Sequence, residues 1–167
     1  QASDCIVCLV GKYIDVTGSD QETDCIVCPL GQYLDSPGNG HLSDCIDCFV
    51  GKYIDVTGSD APTDCIDCPT GKWLGTVGNN DAADLYPNAV AWVGYNDDVT
   101  DCIDCIAGKY LFVTGSDNNN DCIDCPVGRY STTVGSATGS VSAASPDCIN
   151  CVAGKYIHVT GSDEPTD

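Results

Sequence analysis

The sequence is poor in several residue types, and each shortage argues against a class of protein. Methionine is absent, so Gln1 is expected to be either a processed N-terminus, left after a signal peptide is removed, or the start of a fragment. Glutamate is rare as well, which predicts no significant helix. No apolar run approaches the roughly 20 residues that cross a bilayer, so we expect no membrane insertion. Only 6 basic residues oppose 25 acidic ones, and this balance argues against nucleic acid as a partner.

Cysteine, by contrast, is abundant, with 14 in 167 residues. In so short a chain this is typical of an extracellular disulfide scaffold, either secreted or at the cell surface. The cysteines form C-x-x-C pairs, whose first members are Cys5, Cys25, Cys45, Cys65, Cys102, Cys122 and Cys148. We therefore interpret 1–167 as one continuous array of seven repeats of about twenty residues. These repeats, numbered 1 to 7 below, start near residues 4, 24, 44, 64, 101, 121 and 147.

Each repeat follows the pattern D-C-I-x-C-x-x-G-[K/Q/R]-[Y/W]-x-x-x-x-G. Two kinds of repeat alternate, and proline follows the second cysteine in repeats 2, 4 and 6. Twenty residues cannot bury a large core, so disulfides are expected to replace it. We predict a small disulfide-rich fold, mostly β or irregular, arranged as an elongated rod. The isoleucine between the paired cysteines and the aromatic ring are expected to supply one small apolar contact per repeat, and each ring is expected to cover a disulfide.

Two insertions interrupt the frame, at about 79–96 and 136–146. The first contains Tyr86, Trp92 and Tyr95, which form either a loop packed on its own repeat or a surface for another subunit. The second belongs to a stretch rich in serine and threonine, and we expect the 131–146 loop to be flexible, exposed and a candidate for O-glycans.

The charged residues also follow the repeat. All the basic residues occupy the position before the aromatic ring, and we expect them to relieve repulsion beside the aspartate that precedes each first cysteine. Calcium is the one candidate cofactor, because aspartate oxygens suit that ion. The alternative is a solvated acidic face. The grouped carboxylates are Asp60, Asp64, Asp67, Asp117, Asp121 and Asp124.

The stretch C-x-x-G-K-Y-I followed by C-x-x-C resembles the cysteine-rich modules of tumour necrosis factor receptors. C-P-x-G-x-Y is similar to the ephrin-receptor-like repeats of extracellular proteins. The resemblance implies that the second cysteine of each repeat pairs with the first cysteine of the next. The implied pairs are Cys8–Cys25, Cys28–Cys45, Cys48–Cys65, Cys68–Cys102, Cys105–Cys122 and Cys125–Cys148. Cys5 and Cys151 are left over.

Other chemistries fit the pattern less well. Zinc ribbons also pair C-x-x-C motifs, but seven motifs cannot be tiled in twos. His41 and His158 lie at different repeat positions and in no catalytic motif, so we expect no enzyme.

The function we expect is that of an extracellular structural protein, a subunit of a filament or surface appendage that assembles head to tail with itself. Cys5 and Cys151 are then expected at the joint between subunits, alongside Tyr86, Trp92 and Tyr95. The competing interpretation is that the sequence is a window on a longer repeat protein, in which Cys151 pairs with a cysteine that follows Asp167 in the same chain. The alternative is a receptor or adhesion ectodomain that binds a protein ligand through the aromatic insertion.

Overall fold

A computed structural model describes residues 5–77, 96–137 and 148–165. The chain divides into two compact units, Gln1–Ile66 with Thr76–Asp101, and Asp67–Gly75 with Cys102–Asp167. The fold is small, disulfide-rich and mostly β, which confirms the class expected from the repeat. Within the described ranges no helix has the length and apolar character needed to cross a membrane.

The strands are two residues long and occupy the same two positions of successive repeats. They are β1 (Lys12–Tyr13), β2 (Ile26–Val27), β3 (Gln32–Tyr33), β4 (Ile46–Asp47), β5 (Lys52–Tyr53), β6 (Ile66–Asp67), β7 (Lys72–Trp73), β8 (Ile103–Asp104), β9 (Lys109–Tyr110), β10 (Ile123–Asp124), β11 (Arg129–Tyr130) and β12 (Ile149–Asn150). Each odd-numbered strand pairs with the strand that follows it. The ring residue of one repeat therefore lies opposite the isoleucine of the next, as Tyr13 lies opposite Ile26 in an antiparallel register.

Short 3-10 turns precede the first cysteines of several repeats. The turns span Glu22–Asp24, Leu42–Asp44, Pro62–Asp64, Val99–Asp101 and Asn119–Asp121. In four of these turns the final aspartate folds back onto backbone amides ahead of it. The Asp44 carboxylate, for example, accepts hydrogen bonds from the amides of Gly40 and His41 at 3.2 and 2.9 Å. These aspartates therefore cap turns, which explains why they recur immediately before the first cysteine.

Six disulfides join neighbouring repeats. They are Cys8–Cys25, Cys28–Cys45, Cys48–Cys65, Cys68–Cys102, Cys105–Cys122 and Cys125–Cys148. These are the pairs that the resemblance to receptor modules implies. Most of the bridged cysteines are buried, so the bridges form the centre of each small cluster.

The apolar core lies one residue after the ring, and not at the isoleucine between the cysteines. Leu34 is 1 % exposed, whereas Ile26 is 42 % exposed. The other residues buried at this position, which we call the core position, are Ile54, Leu74, Leu111, Ser131 and Ile157. The isoleucines lie toward solvent because successive side chains of an extended segment point to opposite faces. A cysteine that turns its sulfur inward therefore directs the following isoleucine outward.

Asn96, the last residue of the first expected insertion, and Ser136, the first residue of the second, belong to the repeat frame. The carbonyl oxygen of Asn96 accepts a hydrogen bond from the Ile54 amide at 2.9 Å, and that of Ser136 accepts one from the Leu111 amide at the same distance. The equivalent oxygen of repeat 3 belongs to Ser59, which shows that Asn96 and Ser136 are part of the repeat frame.

The start of the predicted exposed loop at 131–146 is packed. Ser131 and Ser136 are both buried, and their hydroxyl oxygens lie 3.1 Å apart. The prediction of exposure is therefore wrong for these two serines, which fill the frame in place of larger side chains. Residues 138–146 lie outside the described part of the chain.

Candidate assembly interface

Successive repeats are joined by a ladder of backbone hydrogen bonds, and two of its rungs use the first glycine of each repeat. The Gly11 amide donates to the Leu34 carbonyl oxygen at 2.8 Å, and the Gly11 oxygen accepts from the Cys28 amide at 2.9 Å. The same two rungs recur at Gly31, Gly71, Gly108 and Gly128.

Two further rungs use the core position and the closing glycine. The Ile14 amide donates to the Asn39 oxygen at 3.0 Å, and the Gly38 amide donates to the Cys8 oxygen at 2.8 Å. Each of the two neighbouring repeats thus contributes two amide donors and two carbonyl acceptors to the joint. These bonds join backbone groups only, so they do not require a particular side chain in either repeat.

Three of the rings sit in pockets built by the following two repeats. Tyr13, which is 7 % exposed, packs with Cys28, Leu34 and Cys45. Tyr33 packs in the same way with Cys48, Ile54 and Cys65, and Trp73 packs with Cys105, Leu111 and Cys122. Burial raises the pKa of the Tyr13 hydroxyl, and the charge of Asp15 raises it further. The walls of this ring pocket are always a disulfide and a core-position side chain, so the expected cover of ring on disulfide is present at these three sites.

Repeats two apart also touch. A Cβ atom on Gly71 would lie 2.1 Å from the Gly135 oxygen, and one on Gly108 would lie 2.1 Å from the Gly161 oxygen. These contacts join repeats of the same kind, repeat 4 with repeat 6 and repeat 5 with repeat 7.

Repeat 1 presents an open edge of the ladder. Among the described residues, no backbone oxygen accepts from the amides of Cys8 and Gly18, although the equivalent amides of repeats 2, 3, 5, 6 and 7 donate to a preceding repeat. Ile6 is 98 % exposed, more than twice as much as Ile26. The Cys5 thiol is free and exposed.

A groove accompanies that edge. It has a volume of about 500 Å³, and its walls include Cys8, Ile14 and Cys25. Leu9 and Lys12 lie beside these walls, and Asp20 and Glu22 add acidic groups.

Repeat 7 presents the other open edge. In the described part of the chain, the amides of Gly154 and Ile157 have no backbone acceptor, and nothing donates to the Cys151 oxygen. Tyr156 is 82 % exposed, and its ring contacts that of His158 at a centroid distance of 6.3 Å. The Cys151 thiol is free and half-buried.

The cations lie away from the aspartates to which the sequence pattern assigned them. Lys72 forms an ion pair at 2.9 Å with Asp104, which lies between the paired cysteines of the next repeat, and Lys109 pairs with Asp124 in the same way. Four of the aspartates that precede the first cysteines accept hydrogen bonds from backbone amides. The expected pairs between these aspartates and the cations therefore do not form at Lys72 and Lys109. Gln32 stands where other repeats have a cation, and its side-chain nitrogen donates a hydrogen bond of 2.7 Å to the equivalent aspartate, Asp47.

The six aspartates considered for calcium have several separate environments. The Asp64 carboxylate accepts from the Asp60 amide, and Asp121 accepts from the Asn118 amide. Asp124 belongs to the ion pair with Lys109, Asp117 is exposed, and Asp67 lies against Gly115. Within the described ranges no three acidic, histidine or cysteine side chains are grouped as metal ligands. Calcium binding stays a prediction.

A hydrogen bond between two polar residues marks the point where the repeat frame resumes after the first insertion. Asn96 is buried, and its amide nitrogen donates to the Thr76 carbonyl oxygen at 2.7 Å. Burial raises the pKa of the neighbouring Asp97, and the charge of Asp101 raises it further. Tyr86, Trp92 and Tyr95 lie outside the described residues, so their predicted part in a subunit contact is not tested.

Sequence reasoning missed the core position and the ring pocket. The signal for the core position was present, because isoleucine or leucine follows the ring in most repeats. The pocket could not be found in this way, since three repeats build it together. In comparisons with known proteins, no family model matches this chain and no curated protein matches it, so the resemblance to receptor modules is an interpretation of its motifs.

Proposed function

We propose that this protein is an extracellular structural protein whose copies assemble head to tail into a filament, with repeat 7 of one copy docked on repeat 1 of the next. Its six disulfides are typical of proteins from oxidising, non-cytoplasmic compartments. They support an extracellular setting for the filament.

The observation that carries the proposal is the match between the two open edges. If one copy follows another as repeat 2 follows repeat 1, the Gly154 amide meets the Ile14 oxygen and the Ile157 amide meets the Ser19 oxygen. The Cys8 amide then meets the Gly154 oxygen. The joint reproduces a ladder that already occurs between neighbouring repeats within each compact unit.

The fourth rung follows the same rule, with the Gly18 amide donating to the Cys151 oxygen of the preceding copy. This interface uses different surfaces on the two partners, so adding copies extends the assembly unless the rotation closes it into a ring. Unpaired edges also favour growth, since exposed backbone donors and acceptors attract another strand.

The joint also brings together the two free thiols. Cys151 occupies the place of Cys8, and Cys5 occupies the place of Cys25, which form a bridge within the chain. We include a Cys151–Cys5 bridge in the proposal. Its formation by exchange with a small-molecule disulfide releases two thiols from that oxidant, so the two electrons and two protons are accounted for.

Charge opposes the association, because each copy carries a formal net charge of −19. Salt screens this repulsion, with a Debye length of about 10 Å at 0.1 M ionic strength. We therefore expect assembly to increase between low and physiological salt, in contrast to interfaces held together by opposite charges.

Electron microscopy and sedimentation of the purified chain at rising concentration test the proposal. The wild-type chain should form filaments, and a denaturing gel without reductant should show a ladder of covalent oligomers. The Cys151→Ser variant should assemble reversibly and lose the ladder, because it keeps the backbone edges and lacks one thiol. A wild-type chain that stays monomeric at all concentrations and salt levels overturns the proposal and favours the ectodomain alternative.

A further inference from the structure

The ring pocket is the most regular packing feature of the described repeats. In each of three cases a tyrosine or tryptophan ring contacts the second cysteine and core residue of the next repeat, and the first cysteine of the repeat after that. The pocket therefore accepts either ring and always has the same three wall positions.

Repeat 1 has these walls, and no aromatic ring of the described residues lines the groove between them. Cys8, Ile14 and Cys25 occupy the wall positions, and they line the groove of about 500 Å³. The walls are more exposed here than elsewhere: Ile14 and Cys25 are half-buried, whereas Leu34 and Cys45, which stand at the same positions one repeat later, are buried. The groove has the composition of a ring pocket whose ring must come from a preceding repeat.

Repeat 7 has a ring without a pocket. Tyr156 is 82 % exposed, whereas Tyr13 and Tyr33 are each 7 % exposed. The exposed ring of a tyrosine gains free energy when it leaves water, and aromatic side chains dominate the energetics of many interfaces.

We infer that the groove on repeat 1 is a binding site for the Tyr156 ring of the preceding copy. The inference rests on the proposed head-to-tail assembly and names the side chain that anchors it. The ring would contact the Cys8–Cys25 disulfide and Ile14, as Tyr13 contacts the Cys28–Cys45 disulfide and Leu34.

The backbone ladder brings this ring to this groove. Within the chain, Tyr13 is flanked by the two residues that form rungs with the next repeat, Gly11 and Ile14. Tyr156 is flanked in the same way by Gly154 and Ile157, whose amides are open. If the rungs between two copies form in the register seen between neighbouring repeats, they place the Tyr156 ring over the groove. One docked copy then pairs the open amides and fills the groove at once.

Four variants test the inference, each in a Cys151→Ser background so that the joint stays reversible. Tyr156→Ala should raise the concentration needed for assembly by roughly tenfold or more, as expected for an aromatic anchor. Tyr156→Trp should assemble like the parent, because Trp73 fills an equivalent pocket. Phe49→Ala removes another exposed ring, away from both open edges, and should leave assembly unchanged. Ile14→Lys should block the groove, because it places a charged chain in its wall.

Mixing two defective variants gives the sharpest result. Tyr156→Ala keeps the groove, and Ile14→Lys keeps the ring. At a concentration too low for either variant to assemble alone, an equimolar mixture should therefore form dimers and nothing larger. Near-ultraviolet absorbance should also report transfer of Tyr156 out of water in that dimer.

The possible failures are distinguishable. A parent chain that never assembles overturns the proposed function, and the ring site with it. A parent that assembles, with Tyr156→Ala assembling equally well, overturns only the ring site. Loss of assembly in Phe49→Ala to the same degree would also overturn it, because the effect would then not be specific to Tyr156.

Discussion

A Cβ atom on Gly11 would lie 2.2 Å from the carbonyl oxygen of Gly58, although these residues belong to repeats 1 and 3. Both glycines have positive φ, +76° and +73°. Gly11 is therefore required twice, by its backbone conformation and by the close approach of a second backbone.

Substitution at Gly11 separates these two requirements when it is compared with Gly18. Gly18 has φ of +80°, and no atom lies within 4 Å of its Cβ position. Both Gly11→Ala and Gly18→Ala carry the conformational cost, but only Gly11→Ala forces atoms apart. We expect Gly11→Ala to lower the free energy of unfolding by about 2 kcal/mol more than Gly18→Ala, as measured by denaturant unfolding of monomeric protein. Equal losses would contradict the contact between repeats 1 and 3.

The core position predicts a second difference, between Leu34 and Ile26. Leu34→Ala should lower the free energy of unfolding by about 2–5 kcal/mol, because it leaves a cavity beside a disulfide. Ile26→Ala removes a partly exposed side chain and should cost less than about 1 kcal/mol. A loss of free energy of unfolding for Ile26→Ala as large as that for Leu34→Ala would show that Ile26 belongs to the core.

Removal of a bridge should destabilise the protein even where the backbone ladder is intact. The Cys28–Cys45 bridge closes a loop with a sequence separation of 17. In the chain-entropy model such a loop contributes roughly 3 kcal/mol, so the double replacement Cys28→Ala with Cys45→Ala should lose about that amount in thermal or denaturant unfolding. Peptide mapping of the intact protein should find the six bridges between neighbouring repeats, and a bridge within any C-x-x-C pair would contradict the structure.

Asp97 should make stability depend on pH. Its pKa is raised in the folded protein, chiefly by burial and then by Asp101, so folding favours its protonated form. That stabilisation is present below the unfolded pKa of about 3.9 and is lost as pH rises through the folded value. Asp97→Asn should therefore be more stable than the parent at pH 7, by less than about 1 kcal/mol, and the difference should vanish near pH 3 by melting experiments.

A matched variant corrects the Asp97 measurement for net charge. Asp117→Asn removes the same charge from an exposed position in the other compact unit. If Asp117→Asn stabilises the protein as much as Asp97→Asn does, the effect comes from general repulsion and not from the burial of Asp97.

The sequence predicted those parts of the structure whose residues recur at the same position of every repeat. Paired cysteines and glycines such as Gly11 recur because their requirements are covalent or steric, and these act within one or two neighbouring repeats. The exposure of Ile26 was not predicted, since it depends on which way the adjacent Cys25 turns its sulfur. The packing of Tyr13 was equally inaccessible, because its pocket takes Cys28 from one repeat and Cys45 from another. The identity of Asn96 as a frame residue became visible only from its hydrogen bond with Ile54.

The disulfide order has a mechanical consequence. The bridges link Cys8 to Cys25, Cys28 to Cys45 and so on to Cys148, and only two residues separate Cys25 from Cys28. A continuous covalent route therefore runs from Cys8 to Cys148 through the bridges and the short C-x-x-C segments. Tension applied to the two ends passes along this route. The loops between bridged cysteines bear no load, including the one of sequence separation 34 that contains the first insertion. Extension is then limited to the C-x-x-C segments, at no more than about 3.6 Å per residue, so the chain would resist stretching as an almost inextensible tether until a sulfur–sulfur bond is reduced.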